Sequence, residues 1–227
     1  MKPAILPKLM LGLSLAAMTT AAHATDDAFE VWLNPSIDYD LSKHDSIELE
    51  TAQRFRSGSD GRADTYFVRA WLHHDVSETF TLSGALEQRE NDGGFDEVRM
   101  IQQLSGKHGY IRTRVRLEER WVEDQSRMGF RIRPRLGVVV PINDSGDWSF
   151  RTDAELFLTV RSTSKGGQDG LTGLRTQFGV AHDVNDKLSL SLTYLRQQDF
   201  RDNAPDRVGH APLIGVSYTF CYARRQA

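Results

Sequence analysis

Cysteine is nearly absent: Cys221 is the single one in 227 residues. One thiol cannot close an intrachain disulfide, and zinc or redox motifs built on paired cysteines are excluded. A basic excess is lacking too. The 28 Lys and Arg are outnumbered by 31 Asp and Glu, for a formal net charge of -3, so the overall balance offers nothing to a nucleic acid. No HExxH, phosphate-binding glycine loop or serine nucleophile elbow occurs. The glycine-rich stretches NDGGFDE and SKGGQDG lack the spaced ligands of a calcium loop, and turn chemistry accounts for them. No metal or cofactor is therefore expected. Apolar runs are short throughout, below the roughly 20 residues of a membrane-spanning helix. What is present is 39% hydrophobic residues and 18 glycines, an ordinary folded composition in a length suited to one domain.

The start of the chain reads as an export signal. Lys2 and Lys8 precede the short apolar run LMLGLSLAAM, and AAHA, ending at Ala24, is a small-residue cleavage site. Residues 1–24 are thus predicted to be a signal peptide and residues 25–227 a single exported domain.

Beyond it the dominant feature is alternation. From Ile111 to Trp121, Ile111, Thr113, Val115, Leu117, Glu119 and Trp121 occupy odd positions, and Arg112, Arg114, Arg116, Glu118 and Arg120 the even ones. A period of two separates these sets onto the two faces of a strand, which no helix would do. The pattern recurs with Phe130, Ile132, Leu136 and Val138 against Arg131, Arg133 and Arg135. It recurs again with Phe150, Ala154, Leu156 and Leu158 against Arg151, Asp153 and Glu155. Fainter copies cover residues 47–56, 82–89, 174–180 and 188–194. Tight turns (LSKHDS, DVSE, SGKH, NDSGD, DVNDK) alternate with mostly longer polar loops (RSGSDGRAD, ENDGGFD, STSKGGQDG, FRDNAPDRVG), as in an up-and-down meander.

Alternation alone fits a soluble barrel with its apolar face inward or a transmembrane barrel with that face outward. Segments of about 11 to 13 residues match a tilted bilayer crossing and exceed the usual soluble strand. Aromatic residues near segment ends (Trp32, Tyr66, Trp71, Phe80, Tyr110, Trp121, Trp148 and Phe200) suit interfacial girdles. The expected fold is all-β: an antiparallel transmembrane barrel of about 10 to 12 strands in an outer membrane. Ten strands run from Ile47 to Phe220, and Phe29–Leu41 makes either two short strands broken at Asn34-Pro35 or a segment against the barrel end. Pro134 predicts a local bulge.

The stretches DEVRMIQQL (Asp96 to Leu104), RTRVRLEERW (Arg112 to Trp121) and RMGFRIRPRLGVVVPI (Arg127 to Ile142) resemble an uncharacterised family of small outer-membrane barrels classed as a domain of unknown function. The resemblance implies the fold and the location, and brings no activity or catalytic residues. A looser similarity, in size, arginine-lined strands and the closing YTF, is to small acid-sugar porins. Alternation up to Tyr218 and Phe220 also resembles the signal that outer-membrane proteins present to their barrel-assembly machinery, although CYARRQA follows it here.

The inward set carries whatever chemistry there is. Arg112, Arg114, Arg116, Arg120, Arg131, Arg133 and Arg135 are expected to form a cationic wall, with Glu97, Arg99, Glu118, Arg151, Asp153 and Glu155 completing the lumen lining. Two outcomes stand open: a narrow anion-preferring channel for a small anionic solute, or a closed barrel filled by salt bridges. An enzyme is the weaker alternative, resting on His73 and His182 beside polar turns; no catalytic residue is assigned. Expected partners are outer-membrane lipids and lipopolysaccharide and the assembly machinery, with no nucleic acid.

Overall fold

The structure is a computed structural model describing residues 26–56 and 63–220; the expected signal peptide and the CYARRQA extension lie outside them. Alternating polar and apolar side chains give every described segment two dissimilar faces, and the chain answers by forming eleven strands with no helix among the described residues. These are β1 (Asp26–Asp40), β2 (Asp45–Arg56), β3 (Thr65–Asp75), β4 (Phe80–Asn91), β5 (Glu97–His108), β6 (Ile111–Val122), β7 (Gly129–Pro141), β8 (Trp148–Arg161), β9 (Gly170–Asp183), β10 (Leu188–Asp199) and β11 (Arg207–Phe220).

Each strand pairs antiparallel with its sequence neighbours, and the sheet closes on itself between β1 and β11. In a meander the first and last of an odd number of strands run the same way, so this seam is parallel. It extends in one register from Asp26↔Arg207 to Tyr39↔Phe220. The segment around Asn34-Pro35 is therefore neither two short strands nor a segment against the barrel end but one continuous strand, and the count of eleven falls within the expected 10 to 12. Asn34 and Pro35 keep their register with β11, and only the β1–β2 ladder skips them. Proline has no N–H to give that ladder. The chain enters the barrel at the rim of long loops and leaves it at the rim of short turns.

Two local expectations are corrected. SGKH is not a turn, because β5 runs on to His108 and the reversal falls on Gly109-Tyr110. Gly109 has φ +58°, the left-handed backbone that a two-residue hairpin needs at its first position. The register shift in β7 lies between Phe130 and Arg131 rather than at Pro134, which the β7–β8 pairing spans in register from Ile132↔Leu158 to Arg135↔Glu155.

The apolar set faces outward. Leu72, Leu86, Leu136, Val160 and Leu192 are each more than half exposed. Tyr66, Phe80, Tyr110, Trp121 and Trp148 stand exposed near strand ends, as expected of girdles. Trp32 and Trp71 do not: both are about 95% buried inside the lumen, sharing the parity of Glu30 and Arg69 on their own strands.

Candidate functional site in the lumen

The inner wall is lopsided. On β9, β10 and β11 the inward positions are mostly small, among them Gly179, Ala181, Ser191, Gly215 and Ser217. On β2 to β8 they are mostly long and charged. Side chains from the charged wall extend into the space that the small wall leaves. Gly173 shows the fit: a β-carbon there would lie 2.6 Å from Cδ2 of Phe157, whose ring occupies that place.

The charges order themselves by strand register. Glu50, Arg69, Glu87 and Arg99 stand directly opposite one another on β2, β3, β4 and β5, alternating in sign. Arg69 donates to Glu50 at 2.7 Å and through Nε to Glu87 at 2.7 Å; Arg89 donates to the other oxygen of Glu87 at 2.8 Å. Glu97 accepts from Arg99 at 2.6 Å and from Arg120 at 2.5 Å. On the next strands like charges meet, with Arg114 opposite Arg135 and Arg116 opposite Arg133. Such rungs are repulsive. Two wholly buried carboxylates relieve them. Glu118 accepts from Arg131 at 2.5 Å and Arg133 at 2.6 Å, and Glu155 accepts from Arg133 at 2.6 Å and from Arg114. Arg135 bonds Asp153, and Arg116 bonds Gln103 at 2.8 Å. Planar guanidinium forks match carboxylates at two points and keep their charge when buried, which is why arginine rather than lysine fills this lumen.

The residues singled out in the sequence thus all face inward, but not in one site. Glu97, Arg99, Arg114, Arg116, Glu118, Arg120, Arg131, Arg133, Arg135, Asp153 and Glu155 lie in the network. Arg112 bonds the carbonyls of Gly109 and Ile111 at the short-turn rim, and Arg151 lines the mouth beside it. Sequence reasoning set Arg54, Arg89 and Arg175 on polar strand faces without counting them in the lumen lining, and passed over Arg69 and the aromatic rings between them. Arg54 lies 4.0 Å over the ring of Trp32, Arg69 4.7 Å over Phe67 and Arg133 4.5 Å over Phe157. Parity on β3 was the available signal: Phe67 and Trp71 flank Arg69 at steps of two.

Access is graded along the axis. On β6 the side-chain exposure falls from 17% at Arg114 to 8% at Arg116 and 0% at Glu118, then rises to 23% at Arg120, so the lumen is most closed at mid-strand. A cavity of about 300 Å³ occupies the short-turn half, bordered by Thr79, Lys107, Arg112, Arg114, Arg135 and Arg151. A second, of about 150 Å³, lies deeper; Arg114 and Arg135 border both. Toward the long loops Trp32, Leu195 and Ala211 pack as an apolar cluster.

The two histidines differ. His182 is stacked on Trp148, 4.3 Å between centroids. His73 takes the hydroxyl of Ser83 at Nδ1 (2.8 Å) and Glu48 at Nε2 (3.2 Å), a serine, histidine and carboxylate in series. Ser83 is about 95% buried and sits in an interior strand whose backbone is paired on both sides. Its backbone amides are thereby committed to the ladders and not to a developing oxyanion. Among the described residues, no three His, Cys, Asp or Glu converge as a metal site.

The fold is similar to that of the NanC porin, with a TM-score of 0.50 and 9% identity over 74% of this chain and 85% of that one. An uncharacterized protein of Methylorubrum extorquens is 24% identical over 197 residues, covering 81% of this chain and 86% of its own. The description "Protein of unknown function (DUF2490)" matches residues 29–208, and the chain, a porin-like eleven-stranded barrel, belongs to that family.

Proposed function

We propose that this barrel resides in an outer membrane and offers small anions a narrow path through its lumen. One observation carries the reading. The central network joins ten arginines to only six carboxylates, Glu50, Glu87, Glu97, Glu118, Asp153 and Glu155, and Arg54, stacked on Trp32, adds an eleventh guanidinium with no acid partner among the described residues. A constriction with surplus guanidinium charge attracts anions and repels cations. The outward apolar faces, strands of 11 to 15 residues and exposed aromatic ends support the membrane setting. There the short turns face the periplasm, the outer surface contacts lipid and lipopolysaccharide, and β11, with Tyr218 and Phe220 in contact at 4.7 Å, is the strand offered to the assembly machinery.

A second reading, a closed barrel, is favoured by the complete burial of Glu118 and Glu155. Planar-bilayer recording separates the two. A path gives stepwise currents whose reversal potential in a salt gradient favours the anion, and changing Arg114 and Arg133 to glutamate lowers that preference. Silence at every voltage from a correctly folded barrel rejects the path and leaves the closed form.

A further inference from the structure

The deeper cavity has a composition that the path alone does not require. Eight arginines line it, and a single carboxylate, Glu50. The acids those arginines contact are Glu50, Glu87, Glu118, Asp153 and Glu155, so positive charge is left over at the chamber even after every ion pair is counted.

The surplus has an address. Arg54 makes no hydrogen bond or ion pair among the described residues; Trp32, at 4.0 Å, and Phe67, at 5.4 Å, hold its guanidinium through their ring faces. A cation held by π-faces keeps its N–H groups, which lie in its plane, free for an acceptor. Nε of Arg54, of Arg114 and of Arg133 are all buried without a hydrogen-bond partner, and the Arg133 side chain is only 6% exposed. Those three atoms are closed off by their surroundings, but the terminal nitrogens of Arg54, which bond nothing among the described residues, are not, and unmet charged donors beside a small cavity call for an acceptor with several oxygens.

Size narrows the choice. The chamber is small, about 150 Å³, and eight guanidinium groups around so little space suit a compact, highly charged oxyanion better than a bulkier solute carrying one charge. The way in lies between Arg114 and Arg135, which stand opposite each other on β6 and β7 and border both the chamber and the larger outer cavity.

The geometry points to a binding site for a compact, multiply charged oxyanion of phosphate or sulfate size, entered from the short-turn mouth, with Arg54 on Trp32 as its fixed contact. Its use as a waypoint for transport rests on the path proposed above; binding itself does not.

The test uses the refolded barrel in detergent with 150 mM chloride. Equilibrium dialysis of radiolabelled inorganic phosphate should saturate at one per barrel, and sulfate should compete while glucuronate does not. Trp32 borders the chamber, so phosphate should also change tryptophan emission, and Trp32→Phe should remove that change. Arg54→Gln should weaken binding at least tenfold while leaving the heat-unfolding temperature unchanged or raised, because it removes a half-buried charge that has no acid partner among the described residues. Arg54→Lys, which keeps the charge and loses the planar fork, should restore part of the affinity. Absence of saturable phosphate binding, equal competition by glucuronate, or full affinity in folded Arg54→Gln would overturn the site and leave a water-filled chamber. Phosphate binding in a barrel that passes no current would refute the path and keep the site. Anion-selective current with no phosphate binding would do the reverse.

Discussion

Glu118 and Arg133 bond diagonally, at 2.6 Å, one rung apart on β6 and β7. Directly opposite Glu118 is Arg131, and directly opposite Arg133 is Arg116. The diagonal bond therefore does two things: it gives Glu118 its second cation, and it draws a carboxylate against an arginine pair that would otherwise repel.

Removing that carboxylate charge should be expensive. Glu118→Gln keeps the shape and leaves Arg131 and Arg133 short of a wholly buried anion, so a loss of about 3–5 kcal/mol is expected. The readout is the temperature at which the barrel loses its fast-migrating folded band on a gel, compared with Glu78→Gln on an exposed turn, which should not move it.

Close approach of β9 to β10 depends on one missing side chain. A β-carbon at Gly179 would come within 2.6 Å of the Cα of Thr193, whereas at Gly84 the nearest atom is 3.9 Å away. Gly179→Ala should destabilise by about 1–3 kcal/mol, and Gly84→Ala should stay within about 0.5 kcal/mol of the parent in urea-dependent folding.

If the outer face meets hydrocarbon, charge there is penalised by depth. Leu86, in the interior of β4, is 63% exposed on that face. Leu86→Arg should cost about 2–4 kcal/mol in folding into lipid vesicles. An unchanged vesicle-folding free energy would count against the membrane setting.

The parallel seam is directly checkable by chemistry. Leu33 and Ile214 face each other across β1 and β11. Cysteines placed at both, with Cys221 changed to serine, should be joined by a short bis-thiol reagent. Cysteines at Leu33 and Tyr218, four residues off register, should not.

In the turn between β7 and β8, Ser145 and Asn143 donate to the Asp147 carboxylate and hold it below its ordinary value of 3.8. A carboxylate depressed in the folded state lends stability that is present above the unfolded value and fades as pH falls through the folded one. Carbon-13 titration should show the Asp147 midpoint rising in Ser145→Ala and in Asn143→Ala.

Much of this was legible from residues alone. The alternation from Arg112 to Trp121, broken only at Glu119, announced β6, and the same parity placed Arg131, Arg133 and Arg135 inside. Trp32 and Trp71 misled because a bulky ring near a segment end satisfies two rules at once, the girdle and the inner face, and only the parity of Arg69 decides between them. The parallel seam could not be read locally at all. It follows from the strand count, which changed by one when Asn34-Pro35 proved to be uninterrupted strand. The isolation of Arg54 was equally out of reach, because whether a cation finds an acid depends on the register of strands distant in sequence.

The odd strand count also fixes the rims at which β1 begins and β11 ends, which are opposite. An epitope placed ahead of Asp26 and one placed behind Phe220 would lie at opposite ends of the barrel, so if it spans a membrane as proposed, a pair of antibodies applied to intact and to broken cells would reveal its polarity.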